Sequence, residues 1–228
     1  MNVERVKGIE PSYEAWEAAV LPLNYTRAGA AVYITGAAAA VLRYAEPMVN
    51  APHSAPGMAS SAVPRRVGLA PLSCAETRLL LLGSFPSVAS LSAAQYYAHP
   101  RNQFWALLGA LFELDLPAMP YGARVDAVLH RGVGIWDVYA ACRREGSLDA
   151  SITAGEPNDL AGLVATLPRL RGIAHNGGAS ARFLARSRGL AAQVWRLPSS
   201  SPANASWSFA RKLAAWREAF VSCGLIVR

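Results

Sequence analysis

The pattern of apolar and polar positions in this chain changes near residue 65. Before that point, aromatic residues are scattered without a helical or strand period, and the stretch ends in a polar, proline-containing segment typical of a linker. From Arg65 onward, short apolar runs alternate with segments that place apolar residues on one helix face. We therefore expect residues 1–64 to be a disordered or mis-called leader, with Met58 as the true start. Residues 65–228 should form one folded domain.

Four apolar runs in the later part end in small or polar residues and predict buried β-strands. They cover residues 77–83, 132–139, 170–177 and 193–198. Apolar residues at helical spacing predict helices over residues 102–112, 121–132, 157–167, 178–188 and 208–220. Strands that alternate with helices imply right-handed crossovers and a parallel sheet covered on both faces. The predicted fold is α/β, a three-layer α/β/α sandwich around a four-stranded parallel sheet.

The composition excludes several classes of protein. An apolar fraction of 53% is too high for a disordered chain, and no run of 18 uncharged apolar residues could cross a bilayer. Cys74, Cys142 and Cys223 lie too far apart for a disulfide framework or a CxxC-type metal or iron–sulfur site. We therefore expect a protein of the reducing cytoplasm that needs no metal and no membrane.

The net charge of +7 is unevenly distributed along the chain. Residues 65–228 carry 18 basic and 10 acidic side chains, whereas the first 64 residues are slightly acidic. Such a surplus suits an anionic partner, for example a nucleic-acid backbone. Codon bias is an equally good explanation, because 20 of the 22 basic residues are arginine.

Several reactions lack the residues that they need. The chain has no GxGxxG, no GxxxxGK[ST] and no GxSxG segment, which argues against dinucleotide, nucleoside-triphosphate and α/β-hydrolase chemistry. His99, His130 and His175 do not have metal-ligand spacing. Lys212 is the only lysine after residue 64, so Schiff-base chemistry would have to rest on it alone.

The ends of the predicted strands indicate where a ligand would bind. In open parallel sheets, ligands bind beyond the carboxyl ends of the strands. The predicted strands end in residues 83–87, Asp137, residues 175–177 and residues 199–204. These four segments should meet at one cleft. Asp137 could serve there as a general base or could equally cap the chain after its strand.

The densest group of candidate residues is GSFPSVASLSAAQYYAHPRNQFW, residues 83–105. Its aromatic and polar side chains could hold a planar base. Phe104 and Trp105 fit the core of the following helix better than a site. Tyr97 and Asn102, which lie just before that helix, are better candidates for the site.

A family resemblance rests on these segments. GSFPS, YYAHPRNQFW, CRREGSLDASI, EPNDL, the NG at 176–177 and LPSSSPANA occur in this order across residues 65–228. The chain resembles the hypoxanthine-DNA glycosylase branch of the uracil-DNA glycosylase superfamily. The resemblance implies a monofunctional enzyme of base excision repair that hydrolyses the N-glycosidic bond of a deaminated base, with hypoxanthine expected. It implies single- or double-stranded DNA as partner, no cofactor, and a monomer. A uracil-excising enzyme of the same fold and a non-catalytic nucleic-acid-binding domain remain alternatives.

The resemblance also implies roles for individual residues. Asn102 would orient the attacking water, because Ser84 and Phe85 occupy the slots where the wider superfamily carries that polar group. His99 could assist as a proton donor or could equally be a structural turn residue. The base would be held by Gly83, Ser84, Phe85, Tyr97 and Asn176. The DNA would be contacted by Pro86, Ser87, Arg101, Ser199, Ser200, Ser201, Pro202 and Asn204.

Overall fold

The computed structural model describes residues 63–227. The predictions for residues 1–62, including a start at Met58, lie outside the described residues. The strands are β1 (Arg65–Val67), β2 (Leu79–Gly83), β3 (Val133–Asp137), β4 (Tyr139–Arg143), β5 (Thr153–Pro157), β6 (Gly172–Asn176) and β7 (Gln193–Leu197). The α-helices are α1 (Val88–Ala93), α2 (Phe104–Phe112), α3 (Tyr121–His130), α4 (Leu160–Ala165), α5 (Leu184–Ser187) and α6 (Phe209–Ser222). Short 3₁₀ helices occupy Leu116–Ala118, Asp149–Ser151 and Ser180–Phe183.

The central sheet is parallel and four-stranded, with the order β3-β2-β6-β7. Every residue of β2, β3 and β6 is buried. This is why these strands read as continuous apolar runs instead of alternating ones. The prediction of an α/β fold around a four-stranded parallel sheet is confirmed.

The structure differs from the prediction at a second, antiparallel sheet of order β1-β4-β5. The predicted strand over 132–139 ends at Asp137, and a new strand begins at Tyr139. Pro157 belongs to β5 and not to the first turn of a helix, so that prediction is wrong. Helix α4 begins only at Leu160, where the Asp159 side chain accepts a hydrogen bond from the Gly162 amide at 2.9 Å.

The predicted helix over 178–188 is replaced by a 3₁₀ turn followed by α5. The two ring nitrogens of buried His175 lie 2.8 Å and 2.9 Å from the hydroxyl oxygens of Ser180 and Ser187. The Ser180 hydroxyl donates to the Leu82 carbonyl at 2.8 Å. These contacts fix both ends of the segment to the central sheet, which a regular helix of this length would not allow.

The apolar residues that recur at helical spacing in α2 and α6 pack into the core. The predicted apolar positions of α2, including Phe104 and Leu108, are buried. Phe104 packs edge-on against Trp216 of α6, with ring centroids 5.9 Å apart. The start of α2, which follows Asn102, is thereby held in a fixed place. Among the described helices, none is long and apolar enough to cross a membrane.

Candidate active site

A cleft of about 100 Å³ opens where the strands of the central sheet end. All four predicted strand exits contribute to its wall, as the strand-end rule requires. The wall residues are Gly83, Ser84, Phe85, Pro86, Ser87, Ser90, Tyr96, Tyr97, Asn102, Asp137, Ser147, Asp149, Asn176, Ser199, Ser200 and Ser201. Asn102 and the serine-rich turn, residues 199–201, line this same cleft.

Asn102 and the serine-rich turn are joined through the backbone. The amide of Gln103 donates to the Ser200 carbonyl at 3.0 Å. The Asn102 side-chain oxygen accepts from the Phe104 amide at 3.0 Å, so it satisfies a free donor at the start of α2. A carboxamide oxygen has two lone pairs, and the second can still accept a hydrogen bond from a ligand or water.

Tyr97 is held in an unusual backbone conformation at the cleft wall. Its φ of +54° lies in the left-handed region, which costs a non-glycine residue about 1–3 kcal/mol. Its ring stacks on Phe104, with centroids 3.7 Å apart and an interplanar angle of 11°. Burial raises the pKa of the Tyr97 phenol, and the nearby Asp137 carboxyl raises it further. The phenol therefore stays neutral and can both donate and accept hydrogen bonds.

Asn176 connects the end of β6 to two other parts of the wall. Its amide nitrogen donates to the Tyr97 hydroxyl at 3.2 Å and to the Ser200 hydroxyl at 2.9 Å. Its carbonyl oxygen accepts from the Ser200 amide at 2.9 Å. Both amide hydrogens are thus engaged, and the free capacity of this side chain is the second lone pair of its oxygen.

The turn after β2 is held in place by Arg144. Arg144 is 1% exposed, and its guanidinium carbon lies 5.1 Å from the centre of the Phe85 ring. One of its nitrogens donates to the Pro86 carbonyl. This arginine therefore fixes the Phe85 ring and the backbone beside it.

Asp137 ends β3 and lies in the wall with 4% of its surface exposed. Burial raises the pKa of its carboxyl to about 7; the Asp149 carboxylate acts in the same direction and Arg144 opposes it. Gly83 makes room for this side chain. A Cβ at position 83 would overlap the Asp137 Oδ1 atom.

The comparison with known proteins agrees with this geometry. The model of the family described as the uracil DNA glycosylase superfamily matches residues 70–220. The chain belongs to the uracil DNA glycosylase superfamily.

Two relatives within the superfamily are proteins named hypoxanthine DNA glycosylase. The one from Methanosarcina acetivorans is 39% identical over 64% of this chain and 91% of its own length. The one from Methanosarcina barkeri is 36% identical over 68% of this chain and 98% of its own length. A solution NMR structure from M. acetivorans, provisionally named a uracil DNA glycosylase, is also similar. Its TM-score is 0.61 at 36% identity, over 68% of this chain and 98% of that one.

Four of the residues predicted from the superfamily resemblance lie outside the cleft wall: His99, Arg101, Pro202 and Asn204. The His99 Nδ1 atom accepts from the Arg101 amide at 3.2 Å, which closes a turn just before Asn102. The Asn204 side chain donates a hydrogen bond to the Ser199 carbonyl at 3.1 Å and so stabilises the serine-rich turn without lining the cleft. Arg101 and Pro202 are exposed.

The structure adds wall residues that the sequence reasoning did not single out: Ser90, Tyr96, Ser147 and Asp149. Asp149 accepts from the Ser84 hydroxyl at 2.6 Å, and Ser147 accepts from the Val88 amide at 3.0 Å. Both belong to the segment after β4, which folds back over the start of α1. The only signal for them was their place in CRREGSLDASI, which carries the resemblance but had no assigned role.

The described residues also bear on metal and amine chemistry. Within residues 63–227, no group of three or more His, Cys, Asp and Glu side chains could hold a metal ion. Lys212 is not part of the cleft wall. It is buried, and its ammonium donates to the Gln103 side chain at 2.9 Å.

Proposed function

We propose that this protein is a monofunctional DNA glycosylase that hydrolyses the N-glycosidic bond of a deaminated base, hypoxanthine, in DNA. The observation that carries the proposal is the shared cleft of Asn102 and the serine-rich turn at the strand exits. The relatives named hypoxanthine DNA glycosylase support the choice of base.

The cleft suits a base that has left the DNA stack. A base inside a duplex is inaccessible, so the enzyme rotates it out at a cost of a few kcal/mol, which is least for a mispaired base. The Phe85 ring and the Tyr97 phenol offer apolar and polar contacts to a planar base. Hypoxanthine carries a ring N–H beside its oxo group, and the free lone pair of the Asn176 oxygen can accept a hydrogen bond from it.

The surroundings of the cleft suit a DNA backbone. Arg101 and Arg196 are exposed next to Asn102 and to the end of β7. The serine-rich turn presents hydroxyl and amide groups of the kind that contact phosphate oxygens. The net positive charge of residues 65–228 adds a general attraction that should weaken with salt.

Asn102 contributes to the hydrolysis by orienting water. An amide cannot remove a proton at neutral pH, so its oxygen accepts a hydrogen bond from water and directs a lone pair at the sugar. Departure of the base leaves a sugar with oxocarbenium character, which the DNA phosphates stabilise. The cleft then stabilises the negative charge that develops on the base.

The environment of Lys212 supports a hydrolytic reaction without strand cleavage. A lyase needs an amine that reaches the sugar carbon. The Lys212 ammonium is buried, points to Gln103, and is not part of the wall.

The test is a panel of duplex oligonucleotides that each contain one hypoxanthine, uracil or xanthine. The protein is incubated with each duplex, and abasic sites are then cleaved with alkali. We expect alkali-dependent strand breaks at hypoxanthine, and a much weaker reaction with Asn102→Ala. Breaks only at uracil would reassign the base within the superfamily, and binding without breaks would indicate a non-catalytic domain. Breaks before alkali would show a lyase and contradict the hydrolytic proposal.

A further inference from the structure

Asp137 is a buried carboxyl group whose hydrogen bonding is incomplete. Among the described residues, no group pairs with its Oδ2 atom, although that atom is shielded from solvent. A buried polar atom without a partner costs about 1–3 kcal/mol, so its persistence calls for an explanation. The side chain lies in the wall of the cleft, and both the Asp137 Oδ1 atom and the Tyr97 hydroxyl converge on Gly83.

A structural role for this carboxyl is not supported by its neighbours. The chain after β3 is held through the backbone: the Asp137 carbonyl accepts from the Asn158 side chain at 2.8 Å, and the Val138 amide donates to the Gly83 carbonyl at 3.0 Å. Neither contact uses the Asp137 carboxyl. Capping of the chain, one of the two roles left open by the sequence, is thus performed by other atoms.

The groups that face Asp137 favour its neutral acid form. Burial is the largest influence and, together with the negative charge of Asp149, raises the pKa of its carboxyl to about 7. The Arg144 guanidinium acts in the opposite direction. Tyr96 and Tyr97 are neutral phenols, because burial raises the pKa of both. A carboxyl with a pKa of about 7 carries its proton in about half of the molecules at neutral pH and can give that proton to a ligand.

We propose that Asp137 is the proton donor to the departing base. The inference rests on the proposed function, because it names the group that neutralises the leaving base in that reaction. Its carboxyl lies beside Tyr97, a wall residue assigned to the base, rather than in the turn that carries Asn102.

Proton donation by Asp137 accompanies cleavage of the glycosidic bond. The bond between the sugar C1′ and the base nitrogen breaks, and its electron pair stays on the base. The proton of the Asp137 carboxyl moves to a nitrogen or oxygen of that base, which leaves as a neutral molecule. The water held by Asn102 forms the new C1′–O bond, and its surplus proton passes through solvent to restore the Asp137 acid.

The test is the excision rate under single-turnover conditions, with enzyme saturating a hypoxanthine-containing duplex, between pH 5.5 and 9. For the wild type, the rate should be constant at low pH and should fall as the pH rises through about 7. Asp137→Asn keeps the size and hydrogen-bonding capacity of the side chain but has no proton to give. We expect its rate at pH 7 to be about 10²–10⁴ times lower and to lose this decline.

Two further variants separate a proton donor from a packing residue. Asp149→Asn removes the neighbouring negative charge and should shift the midpoint of the decline to lower pH. Arg144→Met removes the positive charge and should shift it to higher pH. A residue that only fills space would produce neither shift.

The possible results distinguish this inference from the proposed function. If the wild type releases no base, the proposed function itself fails. If the wild type is active but Asp137→Asn matches its rate and pH profile, only the role of Asp137 is overturned. A wild-type rate that increases with pH through 7 would also overturn it, because it would identify Asp137 as a general base. The wild-type profile gives this answer even if a variant folds poorly.

Discussion

The Asp137 side chain packs so closely against Gly83 that a methyl group at position 83 should destabilise the cleft. The two residues are register partners on β2 and β3. A Cβ on residue 83 would lie 3.0 Å from the Tyr97 hydroxyl, and closer still to the Asp137 Oδ1 atom. Gly83 is not among the glycines with positive φ, so alanine can adopt its backbone and the effect of Gly83→Ala is steric.

The expected loss of stability follows from two opposing contributions. Insertion of one methyl group into packed surroundings costs about 1–3 kcal/mol. Removal of a glycine from the unfolded chain returns about 0.4–1 kcal/mol. The net loss of about 1–2 kcal/mol should lower Tm by about 2–8 °C for a domain of this size. The rate of base excision should fall as well, because the Asp137 carboxyl must rotate out of its place.

The assay combines thermal unfolding with the single-turnover excision rate. Gly122→Ala, in α3, is the matched control, because nothing lies within 4 Å of the Cβ that it adds. It should keep the wild-type rate and raise Tm by about 1–4 °C, because it loses the same unfolded-state freedom without a steric cost. Addition of Asp137→Ala to Gly83→Ala should recover part of the lost Tm but none of the rate. If Gly83→Ala unfolds and reacts like the wild type, the described contact between positions 83 and 137 is refuted.

Two further predictions concern Asn102 and His175. Asn102→Ala should lower the excision rate by about 10² or more and, through the lost contact with the Phe104 amide, the free energy of unfolding by about 1 kcal/mol. Asn102→Asp keeps the oxygen that accepts from the Phe104 amide, so an unchanged free energy of unfolding together with an altered rate would separate the capping role from the role in hydrolysis. A wild-type rate in Asn102→Ala would contradict the proposal for Asn102. Burial lowers the pKa of His175 to about 4 from 6.5, so the unfolded chain takes up its proton first as the pH falls. The stability that this group contributes is full above pH 6.5 and should decrease by up to about 3 kcal/mol toward pH 4. Urea unfolding across that range should show a flatter pH dependence for His175→Asn than for the wild type, and equal slopes would contradict it.

The central sheet could be predicted because its strands are buried on both faces. TRLLLLG and GVGIWD are apolar runs that end in a small and a charged residue, respectively, which is the pattern of parallel strands. The strand-end rule then predicts that Asn176 and the serine-rich turn meet at one cleft. These steps depend on local pattern and on topology alone.

The second sheet had no such signal. All five residues of β5 are exposed, and the strand contains Gly155 and Pro157, which are rare in strands. Pro157 is compatible with an edge strand, and β5 is the outer strand of its sheet. A strand that is exposed throughout leaves no apolar alternation in the sequence, so β5 could not be predicted from composition or period.

Parts of the candidate site depend on three-dimensional contacts between distant segments. Asp149 accepts a hydrogen bond from the Ser84 hydroxyl, although the two residues are 65 positions apart in the sequence. Asp149 raises the pKa of Asp137 only because the segment after β4 folds back toward the cleft. Whether Asp137 caps the chain or faces a ligand also could not be decided from its position after a strand. The contacts of Asn158 and the unpaired Oδ2 atom favour the second role.

The most direct test of the account is mass-spectrometric detection of the free base released from a duplex with one hypoxanthine. The wild-type protein should release free hypoxanthine and leave an intact strand with an abasic sugar, while Asn102→Ala should release the base far more slowly. Release of a nucleotide or nucleoside in place of the free base, or no release at all, would contradict the claim that this cleft holds an everted base for hydrolysis.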